Sequence, residues 1–393
     1  MKYHNPIITG FHPDPSVCRV GNDFYLVNSS FEYFPGIPIY HSTDLTHWEQ
    51  IGHVLDRKNQ LKLVSGAPNC LGIYAPTIRY HEGIFYCIVT NVGGRSGGNF
   101  FVYTTDPYGR WSNPVKLPFA GIDPSLFFDE DGRIYYTGTD TGIYIAEITF
   151  DVVRNDTPKR NELPVSIQNV KCGEKHYIWN GSGGNNPEGP HLYRIHDMYY
   201  LMIAEGGTEY CHMVTIARSK NVYGSYEACP HNPVLSNRST CLNIKAIGHA
   251  DLVEDSQGSW WAVCLGIRPL GYPFRHNLGR ETMLAPVKWE NGWPVMGDNG
   301  TVTETFEVET APGKKTRKSD FYIPGSNMTD TFCSNKLHPS WNTIYTPVSK
   351  FVKPTKQGLS LCAYDTTLSD DKPKAILVRR QEHFHFTATA TLT

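Results

Sequence analysis

Apolar residues in this chain come in short runs rich in β-formers, with polar turns between them. Phe24-Tyr25-Leu26-Val27, Ile84-Phe85-Tyr86-Cys87-Ile88-Val89, Tyr199-Tyr200-Leu201-Met202-Ile203 and Trp260-Trp261-Ala262-Val263-Cys264 each have the length and composition of a strand. With 35 Gly and 27 Pro, the chain leaves little room for long helices. Five segments carry an aromatic pair: Phe24-Tyr25, Phe85-Tyr86, Tyr135-Tyr136, Tyr199-Tyr200 and Trp260-Trp261. Successive pairs are 61, 50, 64 and 61 residues apart. A second set lies 10 to 12 residues before the pairs, at Asp14, Ala75, Asp123, Glu188 and His249. Its phrases are similar: Asp14-Pro15-Ser16, Ala75-Pro76-Thr77, Asp123-Pro124-Ser125, Glu188-Gly189-Pro190-His191 and His249-Ala250-Asp251. A repeat of about sixty residues suits a four-stranded sheet with its loops.

After three of the aromatic runs a further phrase recurs: His41 to Trp48, Thr104 to Trp111 and Arg218 to Tyr226. In each, a strand enters a polar turn and leaves on an aromatic residue, as the outer half of a blade would. The chain is therefore expected to be all-β. Residues 1–308 form a five-bladed β-propeller with the five phrases at one mouth of its channel, near the start of the innermost strands. Residues 309–325, with the basic run Ala311 to Lys318, read as a linker. Residues 326–393 read as the start of a C-terminal β-sandwich that breaks off, with strands at Leu359 to Cys362 and Ala375 to Arg380 and an alternating tail from Phe384.

Composition narrows the function. The 393 residues are 40% hydrophobic and 19% charged, enough for a sizeable core, and the net charge of −2 favours neither nucleic acid nor an anionic membrane. No apolar run approaches the roughly 20 residues that span a bilayer. The N-terminus has no apolar signal segment, so a cytoplasmic protein is expected. Ten Cys without a CxxC pair argue against zinc. Aromatic residues make up 12%, which sugar clefts and β-sheet cores both use.

If the repeat brings equivalent positions together, Asp14, Asp123, Glu188 and His249 line one hollow. Taken singly, an Asp-Pro-Ser is a common turn and Glu188 a solvated loop acid; the shared phase of five loops is what makes them a site. Three carboxyls together repel, which raises at least one pKa. Glycoside hydrolysis needs such a split, with one carboxyl protonated beside the leaving oxygen and one ionised to activate water. The longer Glu188 suits the acid and Asp14 the base, while the charge of Asp123 would hold Glu188 protonated.

Asn5-Pro6-Ile7-Ile8-Thr9-Gly10-Phe11-His12-Pro13-Asp14-Pro15-Ser16 resembles the opening of glycoside hydrolase family 43, the five-bladed β-xylosidases and α-L-arabinofuranosidases. Gly121-Ile122-Asp123-Pro124-Ser125, Glu188-Gly189-Pro190-His191 and Phe31-Glu32-Tyr33-Phe34-Pro35-Gly36 are similar to further segments of that family. The resemblance implies inverting hydrolysis with Asp14 as base, Glu188 as acid and Asp123 as pKa modulator, and an acid-to-base separation of about 6.5–9.5 Å. It implies Arg280 gripping sugar hydroxyls, Phe31 and Tyr74 walling the sugar, Thr208 as a further contact, and His249 touching substrate or a water or ion on the axis. Many relatives carry Trp in place of Tyr74. No cofactor is required; a structural Ca2+ on the axis is the one metal implied, and no hard-oxygen cage is legible for it. The tail resembles the β-sandwich of the larger β-xylosidases, which implies a pocket-closing loop that the chain stops short of. The expected reaction is exo-release of xylose from β-1,4-xylo-oligosaccharides, with terminal α-L-arabinofuranose also accepted. A pure α-L-arabinofuranosidase is the alternative, an endo-arabinanase a lesser one. Outside catalysis stand a non-catalytic sugar-binding propeller and a protein-interaction propeller. A homo-oligomer is left open.

Overall fold

The structure is a computed structural model that describes residues 2–63, 69–93, 97–308, 321–334, 336–370, 372 and 374–391. Five antiparallel sheets follow one another along the chain. The first blade is Ser16–Val20, Asp23–Val27, Gly36–Ser42 and Glu49–Leu55. The second is Thr77–His81, Ile84–Val92, Gly98–Thr104 and Val115–Lys116, with Gly72–Ile73 added beside its second strand. The third is Ile122–Phe128, Ile134–Thr139 and Ile143–Arg154, whose outer edge is shared by Val165–Cys172 and His176–Trp179. The fourth is Glu188–Ile195, Met198–Glu205, Met213–Ser219 and Glu227–Ala228, and the fifth Lys245–Glu254, Trp260–Ile267, Glu281–Glu290 and Trp293–Met296. These are the five blades of a β-propeller. Among the described residues there is no α-helix, only a 3-10 turn at Val348–Lys350.

Each aromatic pair lies on the second strand of its blade, and the pleat explains why there are two. Successive side chains on a strand point to opposite faces, so a pair can place one ring toward each neighbouring blade. Tyr25 meets Phe85 at 4.9 Å, Tyr86 meets Phe128 at 5.0 Å, Phe127 meets Tyr199 at 6.1 Å and Tyr200 meets Trp289 at 5.1 Å, each contact crossing a blade boundary. Such contacts add about 0.5–1.5 kcal/mol each beyond the apolar area they bury. The second recurring phrase forms the turn into the outermost strand, where Trp48 and Trp111 are fully buried.

The ring closes through its two ends. Lys2–His4 pairs antiparallel with Thr305–Glu307, beyond the last blade. Asn5 adds a clamp: its side-chain amide donates to the carbonyls of Leu284 (2.9 Å) and Thr303 (3.1 Å), and its oxygen accepts from the Leu284 N–H (2.8 Å).

The expected linker falls mostly on residues 309–320, outside the described residues. Beyond it, Thr343–Ile344 pairs with Tyr33–Phe34 of the first blade's loop, and Val352–Thr355 pairs with Gly358–Leu361. The strand expected over Ala375 to Arg380 is not formed. Among the described residues only Val378 makes a bridge, to Asn342, and no strand lies alongside to complete a ladder. The alternating tail from Phe384 is likewise without strand structure over its described length.

Candidate active site

Residues of the five phrases act on one another through one group of charges, and four of the five share a backbone distortion. Asp14, Asp123 and His249 have φ of 53°, 53° and 46°, in the left-handed region that L-residues rarely adopt. Beside them the ladder skips: Ile122 pairs with Thr139 but Ser125 with Thr137, and Gly248 pairs with Leu265 but Asp251 with Val263. A bulge of this kind re-aims the side chain it carries. The fourth blade is offset by one residue from the match of the five phrases by spacing. Its left-handed residue is Gly189 (φ 62°), two before His191 as Asp123 is two before Ser125, so Glu188 stands one place earlier than the aspartates. Gly189 takes this conformation without a side-chain clash, and a Cβ on it would stand 3.1 Å from the His249 ring. Its N–H donates to Asp123 Oδ2 at 3.0 Å, which ties the third blade's acid to the fourth's.

Asp14 is 5% exposed and held on both oxygens: Arg280 Nη1 donates to Oδ1 at 2.9 Å and Ser29 Oγ to Oδ2 at 2.6 Å. Burial alone would raise its pKa. Arg280, then His249, the Ser29 hydrogen bond and His212 outweigh it and hold the carboxyl below its ordinary value. Glu188 is driven the other way. Burial and then the charge of Asp14 push it up to about 7, against a smaller pull from Arg280. Asp123 is also raised, by burial first and then by Glu188 and Asp14. Three carboxyls face one guanidinium here. Asp14, which Arg280 touches, is the ionised one, and Asp123 and Glu188 keep at least one proton between them. The sequence assigns Asp123 a charge that holds Glu188 protonated; burial also raises the proton affinity of Asp123 itself, so the two compete for a proton.

One wall is aromatic. Phe31 (φ 47°) lies 5.3 Å from Tyr74 and 5.6 Å from Phe11, and the Arg280 guanidinium sits over its ring at 5.5 Å. Phe31 is fixed by pairing with Ile73, and its carbonyl passes so close to Gly72 that a Cβ there would lie 2.2 Å from it. The C-terminal segment braces this wall from behind: Arg380 Nε donates to the Phe11 carbonyl at 2.7 Å and the Tyr345 N–H to the Glu32 carbonyl at 2.9 Å. His249 is 5% exposed, with its pKa lowered by burial. Thr208, by contrast, is exposed on the turn after Glu205 and makes no hydrogen bond to the acids. Two residues at the site were not singled out from the sequence, Ser29 and His212. The latter is fully buried, with Nε2 4.0 Å from Glu188 Oε1. Its one signal is a histidine interrupting the onset of the apolar strand Met213–Ser219.

Beneath the mouth, one residue from each phrase or its strand joins a ring of hydrogen bonds. Asp251 accepts from Ser16 Oγ (2.6 Å), Arg79 Nη1 (2.7 Å), Arg79 Nη2 (3.1 Å) and Tyr193 Oη (2.6 Å). His191 Nδ1 lies 3.0 Å from Arg79 Nη2 and 3.2 Å from Ser125 Oγ. Calcium takes six to eight oxygen donors. The single carboxylate of this ring is already paired with Arg79, so the ring does not fit a calcium ion.

The family model for Glycosyl hydrolases family 43 matches residues 3–294, and that for the Beta xylosidase C-terminal Concanavalin A-like domain matches residues 329–393. The chain is 44% identical over 397 residues to the "Non-reducing end alpha-L-arabinofuranosidase BoGH43B" of Bacteroides ovatus, covering 99% of this chain and 70% of that one. It is 46% identical over 316 residues to a "Xylosidase/arabinosidase" of Butyrivibrio fibrisolvens, covering 78% of this chain and 59% of that one. The solved xylan beta-1,4-xylosidase from Bacillus halodurans C-125 superposes with a TM-score of 0.81 at 34% identity, over 98% of this chain and 72% of that one.

Proposed function

The chain belongs to glycoside hydrolase family 43, and we propose that it is an inverting exo-glycosidase that releases xylose from the non-reducing end of β-1,4-xylo-oligosaccharides and also accepts terminal α-L-arabinofuranose. The observation that carries this reading is the split within one hollow: Asp14 held ionised and Glu188 raised to about 7. In one step, Glu188 gives its proton to the leaving glycosidic oxygen as the bond from that oxygen to the anomeric carbon breaks. A water attacks the opposite face of the carbon and loses its proton to Asp14. Solvent exchange then restores both carboxyls. Asp123 steers the shared proton, Arg280 keeps Asp14 charged while offering donors to sugar hydroxyls, and Phe31 with Tyr74 bounds the sugar. Side chains and water suffice, so no cofactor is called for.

A pure α-L-arabinofuranosidase is the second reading, favoured by the name of the Bacteroides ovatus relative. Initial rates on nitrophenyl β-D-xylopyranoside and nitrophenyl α-L-arabinofuranoside separate the two. Proton NMR of the first sugar released from xylobiose is expected to show the α-anomer. Retained β-configuration would remove Asp14 as a base, and turnover of the arabinoside alone would establish the second reading. The Glu188→Gln variant is expected to bind xylobiose without cleaving it; undiminished cleavage would remove Glu188 as the acid.

A further inference from the structure

Among the polar side chains packed around the acids, His212 stands out. Its side chain has no solvent exposure; among the described residues its ring reaches the Ala246 backbone, and neither Nδ1 nor Nε2 makes a hydrogen bond of good geometry. Each buried donor or acceptor left unpaired costs about 1–3 kcal/mol, so such a group calls for an explanation. The fold holds the ring in place despite that cost. The turn before it is tight enough that a Cβ on Gly206 would lie 2.2 Å from the Cys211 carbonyl. The His212 N–H donates to the Glu209 carbonyl at 2.9 Å, and Ser236 Oγ donates to the His212 carbonyl at 2.9 Å. From the fifth blade, Gly248 makes room: a Cβ there would stand 2.3–2.4 Å from three ring atoms. All of this aims Nε2 at Glu188 Oε1, 4.0 Å away. Burial keeps the ring neutral, so it offers an N–H without a positive charge that would strip the proton from Glu188.

We propose that His212 is the positioning residue of the acid: its Nε2–H donates to Glu188 Oε1, so that the carboxyl proton stands on Oε2, toward the leaving oxygen. The contact closes by about 1 Å when substrate settles the site, as catalytic hydrogen bonds commonly do. As the Oε2–H bond breaks and the proton passes to the glycosidic oxygen, the Nε2–H meets the charge left on the carboxylate. This rests on Glu188 being the acid of the proposed reaction.

The test compares a leaving group that needs protonation with one that does not. Wild type, His212→Leu and His212→Gln are assayed on xylobiose and on 2,4-dinitrophenyl β-D-xylopyranoside, with Glu188→Gln alongside. In H212L, kcat on xylobiose is expected to fall about tenfold or more with KM little changed, and the dinitrophenyl rate to hold within about threefold. H212Q, which keeps a donor within reach of Oε1, recovers most of the xylobiose rate. An equal loss on both substrates, or no loss on xylobiose, overturns the proposal. If H212L does not fold, His212→Met against H212Q makes the same comparison. If E188Q loses the dinitrophenyl substrate as well as xylobiose, it is the acid assignment that has failed, and this inference falls with it. If wild type cleaves only arabinofuranosides, the xylosidase reading fails, and the same pair of leaving groups is used on that sugar.

Discussion

Asp14 and Glu188 are the same functional group in the same hollow, yet their proton affinities are driven in opposite directions. The difference is contact: Asp14 is gripped by Arg280 and Ser29, while Glu188 has burial and the Asp14 charge working against ionisation. Two predictions belong to this scale. The pH profile of kcat/KM should fall on the alkaline side near 7, as Glu188 loses its proton, and on the acid side only below the ordinary aspartate value of 3.8. In Arg280→Met both limbs should move to higher pH, because Arg280 lowers both groups; a profile that scales down without shifting would contradict this. Stability follows the same shift with a definite sign. Glu188 ionises at 4.5 when unfolded and near 7 when folded, so its contribution is fully present below 4.5 and is lost as pH rises through 7. Glu188→Gln should therefore match wild type in acid and exceed it by about 3 kcal/mol above pH 7, at 1.36 kcal/mol per pKa unit, read from unfolding midpoints at the two pH values. The three acids were legible in the sequence because each sits in a repeated phrase. Ser29 and His212 were not, since nothing local marks them and only the fold brings them to the carboxyls.

Among the elements, the blades could be read in advance and the C-terminal pieces could not, for one reason. A blade strand carries its own signal, an aromatic pair serving two neighbours at once, so Phe85-Tyr86 or Tyr199-Tyr200 is informative without knowing the partner. Ala375 to Arg380 has strand composition too, but a strand also needs an edge to pair with, and only Val378 finds one. The one-residue offset at Gly189 was hidden similarly: spacing aligned Glu188 with the aspartates, while the backbone angle falls on the glycine. Asn5 offers an element-level test. Asn5→Ala removes three hydrogen bonds and leaves the buried Leu284 N–H without its acceptor, while the Leu284 carbonyl keeps the Tyr3 hydroxyl; this should cost about 2–3 kcal/mol. A denaturant midpoint unchanged from wild type would show that the Lys2–His4 ladder holds the ring shut unaided.

For the whole molecule, the Asp251–Arg79 ring is the polar element that touches every sheet, since Ser16, Arg79, Ser125, His191 and Asp251 come from five different blades. Arg79→Met should destabilise by about 3–5 kcal/mol, because the fully buried Asp251 is left without its counter-charge. Adding Asp251→Leu should recover much of that loss; a double variant as unstable as the single would mean the ring matters for shape rather than charge. The pairing of Lys2–His4 with Thr305–Glu307 has a further consequence in time. During synthesis, Lys2–His4 must wait for Thr305–Glu307 to be made before it finds its partner. At about 5–20 residues per second, that delay is roughly 15–60 s, during which finished blades stand in an open arc with a bare edge at either end. Cellular helpers that shield nascent chains should therefore matter to the yield of this protein far more than its final stability would suggest.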